Sequence, residues 1–188
     1  MEIILTATNL ETKLANKWKE ETNSNFYVYQ TGVGRTNVLL ALCHLTSEMF
    51  DDCGQCTIKQ IVNIGLCGCN VEEGKIYDIV IPSNFKDGDR NWFCDFTKND
   101  MYPMLEHHNG STLVTTSQFI KKDIYDGYFY DMEAFDILAF CREFDITFSC
   151  FKIVSDYCNK TSEVDYQSLD ENKLYEKFKE ALDGCRWN

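Results

Sequence analysis

The order in which the hydrophobic period changes along the chain constrains the fold most. Residues 3–7 form a short apolar run of strand character, and Leu10, Leu14 and Trp18 then recur at helical spacing, with Asn9 placed to cap that helix. A second strand over residues 26–29 leads through the turn Thr31-Gly32-Val33-Gly34-Arg35 into a helix from Asn37 to about Phe50. A third strand over residues 61–64 runs into Gly65-Leu66-Cys67-Gly68. This alternation predicts a mostly parallel sheet covered by helices, because two parallel strands need a crossover of roughly helix length. Further strands are expected over residues 79–82 and 113–116, and residues 169–182 read as a closing amphipathic helix. Between them Asp131-Met132-Glu133-Ala134 opens a helix marked by Phe135, Leu138, Ala139 and Arg142. The alternating, β-rich stretch 147–154 follows and turns at Ser155-Asp156. Glu133 and Asp156 thus stand where a helix begins and where a strand ends, and can face one pocket.

A chain of 188 residues is the size of one domain, spanning residues 1–188, with enough core to fold without disulfides or metal staples. The net charge of −12 with only four arginines argues against a nucleic-acid partner, which needs a clustered basic face. The longest apolar run, residues 62–71, is too short to span a bilayer, and Met1-Glu2 begins a strand and not a basic leader. No membrane partner and a cytoplasmic location are therefore expected.

Ten cysteines are scattered through apolar segments, as at Cys43, Cys141 and Cys150, which is how buried free thiols are used in a reducing compartment. Cys53-Gly54-Gln55-Cys56 has redox or zinc spacing but stands at no helix start, and Cys67-x-Cys69 is too tight to complete a zinc site. His107-His108 are adjacent and cannot both face one ion from a regular element, and His44 reads as a partly buried helix residue. No metal and no cofactor are expected. Residues 84–110 are polar, irregular and long for a loop, and read as a wall or lid beside a site.

Gly32-x-Gly34 between a strand and a helix invites a dinucleotide reading, but Val38 or Leu39 stands where the third glycine belongs, and no acid falls at the ribose position. The turn can still offer backbone N–H groups to a hydroxyl or anion. Glu11 lies just after the first strand, in the first turn of the first helix; favourable interaction with the helix dipole is reason enough for an acid there. Glu11, Glu133 and Asp156 each have such an ordinary structural explanation. Together, at the carboxyl ends of three elements, they form a candidate acid–base set.

Seven stretches carry a resemblance to a known family: residues 7–11, 31–34, 62–65 with Cys67-Gly68, 74–82, Gln118-Phe119-Ile120, Asp131-Met132-Glu133-Ala134 and Ile153-Val154-Ser155-Asp156. The chain resembles the nucleoside phosphorylase and nucleosidase superfamily, and most closely the methylthioadenosine/S-adenosylhomocysteine nucleosidases. The resemblance implies a three-layer α/β/α sandwich around a mixed, mostly parallel sheet, and cleavage of the N-glycosidic bond of a purine nucleoside. It further implies that Asp156 protonates the purine at N7 with Ser155 orienting it. Glu133 would bind ribose hydroxyls with Met132 on the sugar face, and Gly65 would line the substrate. Glu11 would activate water, Phe119 would stack on the base, and the Ile120 backbone would read its edge.

Phosphate-using members of the superfamily carry an arginine on the third strand and a serine shortly after it. Here those places read Asn63 and Leu66, which have no charge and no donor, so hydrolysis is expected over phosphorolysis, with Arg35 and Arg90 as the remaining phosphate candidates. The alternatives are a purine nucleoside phosphorylase and a non-catalytic nucleoside-binding or storage protein of the same fold. The resemblance also implies a homodimer or larger assembly. Tyr125, Tyr128, Phe129 and Tyr130 suit either such an interface or a buried strand.

Overall fold

The computed structural model describes residues 1–48, 50, 54–89, 92–94, 111–121 and 125–185. The expectations for Arg90, Cys53, His107-His108 and most of the 84–110 segment fall outside these residues. The chain divides into two compact units, Met1–Gly65 with Glu133–Cys150, and Leu66–Met132 with Phe151–Asn188. The strands β3 (Gln60–Asn70) and β9 (Thr147–Asp156) run through both.

In the first unit, β1 (Glu2–Thr6) pairs in parallel with β2 (Tyr27–Gln30) on one side and with the start of β3 on the other, setting Ile3 opposite Tyr27 and Ile61. Helix α1 (Asn9–Thr22) connects β1 to β2. Its N-cap is Thr8, not Asn9: Thr8 and Glu11 form a reciprocal capping box, and Asn23 closes the far end in the left-handed region. Leu14, Ala15 and Trp18 make its buried stripe. Helix α2 (Arg35–Glu48) follows Gly32 and Gly34, both at positive φ (84° and 90°), a conformation that glycine adopts without steric cost. Helix α3 (Ala134–Glu143) leads into the early part of β9. Ile3, Leu5, Val38, Leu42, Leu45, Ile61 and Ile137 share one core cluster. Each such side chain contributes roughly 1.5–3 kcal/mol when buried.

In the second unit the end of β3 pairs antiparallel with β8 (Tyr128–Asp131), and β8 pairs in parallel with β7 (Ser111–Thr115). Strand β5 (Pro82–Asp87) then pairs with β7 in parallel and with β6 (Trp92–Cys94) antiparallel, while β4 (Ile79–Val80) pairs with β9. Helices α4 (Ser162–Gln167) and α5 (Glu171–Asp183) end the chain; Asp170 caps α5 by accepting from the N–H groups of Asn172 and Lys173. The architecture is a mixed sheet of mostly parallel strands flanked by helices.

Two strand expectations change, and the choice left open for the aromatics is decided for two of them. Strand β3 does not stop at Ile64: it continues through Gly65 and Gly68 to Asn70. Ser155 and Asp156 are the last residues of β9, not a turn after it. Phe129 and Tyr130 are buried in β8, and only Tyr125 of the four aromatics is a large exposed ring. Among the described residues no helix is long and apolar enough to cross a membrane.

Candidate active site

In the first unit Glu11 is almost wholly buried, and its Oε2 accepts the backbone N–H groups of Ala7 (2.7 Å) and Thr8 (2.8 Å). The turn from β1 into α1 thus aims two amides at one carboxylate oxygen. Its other oxygen lies over Gly65, where a Cβ would stand 2.9 Å from Oε1. Gly65 is small because the carboxylate fills the space above it. The helix-start explanation for Glu11 is correct as far as it goes, since the residue completes the capping box of α1.

Glu133 occupies the N-cap position of α3, yet its side chain makes no capping hydrogen bond. Its Oε1 instead accepts the N–H of Gly34 at 2.8 Å, at the entrance to α2. One turn further on, Asp136 pairs with Arg35 at 2.8 Å, and its Oδ2 is buried without a hydrogen-bond partner. The anion that the glycine turn was expected to attract is therefore the protein's own carboxylate, and Arg35 is engaged by another.

In the second unit Asp156 is buried at the end of β9. Its Oδ1 accepts the N–H of Cys158 at 2.9 Å, and its Oδ2 lies 2.9 Å from the Ser155 hydroxyl, which is also 3.1 Å from the Cys67 carbonyl. A Cβ on Gly68 would meet Cys158 Sγ at 2.3 Å and Asp156 Oδ1 at 3.2 Å, so this glycine too makes room for side chains. Met132 is half-buried between Asp131 and Glu133. Phe119 is 47% exposed, and Ile120 packs against Val114, Tyr130 and Cys158. The turn carrying them is shaped by Thr116, whose hydroxyl donates to the Gln118 carbonyl, and by Ser117, whose N–H and hydroxyl donate to Asp89.

Asn63 is a structural residue: its amide donates to the Leu5 carbonyl at 3.4 Å and accepts from the Cys150 thiol. The buried Cys67, Cys69, Cys141, Cys150, Cys158 and Cys185 are free thiols, and burial pushes those of Cys67, Cys69 and Cys141 above their ordinary range. No group of three or more His, Cys, Asp or Glu among the described residues is placed to hold a metal ion.

One feature of this unit escaped the sequence reading. Lys152 and Asp131 form an ion pair at 2.9 Å with both side chains essentially without solvent contact. The signal was a lysine within the apolar run Phe151-Lys152-Ile153-Val154, a place where a charge survives only if it is paired.

No protein-family model and no curated protein sequence matches the chain. Solved structures do. A methylthioadenosine/S-adenosylhomocysteine nucleosidase from Chlamydia trachomatis superposes with a TM-score of 0.72 at 15% identity, covering 97% of this chain and 95% of that one. A putative nucleosidase of the same type from Borrelia burgdorferi, bound to adenine, gives 0.69 at 18% identity over 97% and 99%. The futalosine hydrolase of Helicobacter pylori gives 0.72 at 13% identity over 97% of each chain. The chain therefore has the fold of the methylthioadenosine/S-adenosylhomocysteine nucleosidases, as the sequence resemblance led one to expect.

Proposed function

We propose that the protein hydrolyses the N-glycosidic bond of a purine nucleoside of the methylthioadenosine or adenosylhomocysteine type. The hydrogen bonding around Asp156 carries the reading. The Ser155 hydroxyl has one hydrogen and two neighbours, and the Cys67 carbonyl can only accept. The carboxylate oxygen is the nearer and stronger acceptor, so Ser155 donates to Asp156 Oδ2 at 2.9 Å. The Cys158 amide serves the other oxygen. Asp156 is thus buried at the end of its strand with both oxygens held, the fixed placement that a general acid needs.

The chemistry follows from where charge develops. As the C–N bond breaks, the ribose gains positive and the purine negative character; Asp156 gives its proton to the purine N7 and so neutralises the leaving group. Glu133, with one oxygen on Gly34, binds ribose hydroxyls. Glu11, with Oε2 fixed by two amides, takes a proton from the water that adds to the anomeric carbon. Met132 and Gly65 border the sugar, and Phe119 and the Ile120 backbone meet the base. One proton leaves Asp156 and one arrives at Glu11, so the products are free base and free sugar.

Water is favoured over phosphate by the same contacts. Asn63 is committed to Leu5 and Cys150, Arg35 to Asp136, and the Gly34 amide to Glu133. Neutral and engaged groups do not hold a phosphate dianion, which needs charge-assisted donors. Two copies of the chain, residues 1–188 each forming one domain, complete the reading. The exposed apolar residues Val33, Leu39 and Leu40 of the first unit support it, and the abundance of free thiols supports a cytoplasmic setting.

The experiment is to incubate the protein with methylthioadenosine, adenosylhomocysteine and adenosine, with and without phosphate, and to follow free base. Phosphate-independent release that falls about 1,000-fold or more in Asp156→Asn is expected, the scale of losing a general acid. Release that requires phosphate would overturn the hydrolase assignment, and binding without release would favour a storage protein.

A further inference from the structure

We propose that the buried Lys152–Asp131 ion pair is a positioning device that holds the end of β8, which delivers Met132 and Glu133, to β9, which delivers Ser155 and Asp156. Asp131 is bound on every side: Lys152 Nζ lies 2.9 Å from Oδ2, the Thr115 hydroxyl donates to Oδ1 at 2.6 Å, and the Thr116 N–H donates to its backbone carbonyl at 2.9 Å. Thr115 stands opposite Asp131 in the β7–β8 register. Three strands thus converge on one aspartate, and the next two residues of the chain are the proposed ribose contacts.

Lys152 sits two and four residues before Val154 and Asp156, so the three share one face of β9 by strand alternation. At about 3.3 Å per residue it stands roughly 13 Å from Asp156 along the strand, too far for contact. Lys152 acts through the backbone it pins and is a positioning residue, not a catalytic one.

Stability alone gives little reason for such a pair. Removing two charges from water cancels most of their attraction, and an apolar pair of equal volume commonly serves as well or better. What the charged pair adds is direction. An ammonium and a hydroxyl on two different carboxylate oxygens fix both the distance and the rotation of Asp131, which apolar packing leaves looser. Misplacement by about 1 Å at the adjoining contacts can reduce turnover on the order of 100-fold.

The catalytic part of this inference rests on the nucleosidase reading; the mechanical part does not. The test uses Thr115→Val, Lys152→Met, Lys152→Arg and the double variant Asp131→Leu/Lys152→Met. Melting temperature, kcat and KM with methylthioadenosine, and amide hydrogen exchange over residues 132–134 and 155–158 are followed in each. The double variant is expected to regain the wild-type melting temperature while kcat stays about 30- to 100-fold low and KM moves less than about 3-fold. Lys152→Arg keeps most of the activity, and exchange rises in both segments together in Lys152→Met and Thr115→Val. A double variant with wild-type kcat would reduce the pair to a structural element and overturn the proposal. Should Lys152→Met not fold, Thr115→Val, which removes one hydroxyl at nearly constant volume, decides it by the same two readouts. If the wild-type protein releases no base, the nucleosidase reading fails. Hydrogen exchange then decides alone: a joint rise in the two segments supports positioning, and unchanged exchange refutes it.

Discussion

Substituting Gly65 by alanine tests the placement of Glu11 more directly than substituting Glu11 itself. The added Cβ would stand 2.9 Å from Glu11 Oε1, 3.3 Å from its Cδ and 3.5 Å from Oε2. Ordinary contact needs about 3.4 Å or more, so the carboxylate must retreat by roughly 0.5 Å. It cannot do so without stretching the bonds from Ala7 and Thr8, now 2.7 and 2.8 Å, towards the weak end of the hydrogen-bond range. Gly65 is not at positive φ, so alanine brings no backbone strain of its own. Overpacking of this size costs about 1–3 kcal/mol, or a melting temperature lower by roughly 2–12 °C in a chain of this length. The effect on turnover is of similar size: a water-activating group displaced by this much is expected to lower kcat by about 10- to 100-fold, or roughly 1.4–2.7 kcal/mol. Purified Gly65→Ala protein would be melted by circular dichroism and assayed for base release from methylthioadenosine. A folded variant with kcat within 2-fold of wild type would refute the assignment of Glu11.

The remaining expectations can be checked on the same preparation. Gly68→Ala should destabilise the chain by about 1–3 kcal/mol because its Cβ meets Cys158 Sγ at 2.3 Å; the pair Gly68→Ala/Cys158→Ala, which removes that sulfur, should recover much of the lost melting temperature. Glu133→Gln keeps an acceptor for the Gly34 amide but loses the charge, so stability should change by less than about 1 kcal/mol while kcat/KM falls about 100-fold. Burial raises the Cys67 and Cys141 thiols above the 9.0 at which they ionise when unfolded, so above that pH the folded chain binds more protons than the unfolded one. Their contribution is complete below pH 9, and stability then falls by about 1.4 kcal/mol per pH unit for each thiol. Urea titrations between pH 7.5 and 10.5 should show that slope reduced in Cys67→Ala/Cys141→Ala, and equal slopes would refute it.

The sequence made the strand-and-helix order readable because hydrophobic period and turn chemistry agree along most of the chain, as in β1, α1 and β9. It misled at β3. Glycine usually marks the end of a strand, so Gly65 and Gly68 suggested a turn, whereas the strand runs on and the glycines clear space for Glu11 and for Cys158 with Asp156. The cap of α1 lies one residue before Asn9, which directly precedes the apolar stripe, because Thr8-Asn9-Leu10-Glu11 spells a capping box. Glu133 was expected to open its own helix, and nothing local could show that its side chain serves the amide of Gly34. The Lys152–Asp131 pair was hidden for a related reason, since pairing across strands is not written in either strand alone.

The ordinary and the functional explanations of the three carboxylates are compatible, and comparing them narrows the reading. Glu11 accepts two amides, Glu133 one and Asp156 one. Each of these bonds asks only for an acceptor oxygen, which glutamine or asparagine would supply without a titratable group. Burying an ionisable carboxyl is unfavourable compared with burying a neutral amide of the same shape, because the charged form loses its hydration. A protein that only bound a nucleoside could use the amides and avoid that cost. A carboxyl adds what an amide lacks, a proton to give or take and a charge to meet a developing cation. Three buried carboxyls doing work that amides could do therefore favour catalysis over storage. Replacing each by its amide is then the sharpest comparison, because the acceptor bonds survive while the proton chemistry does not.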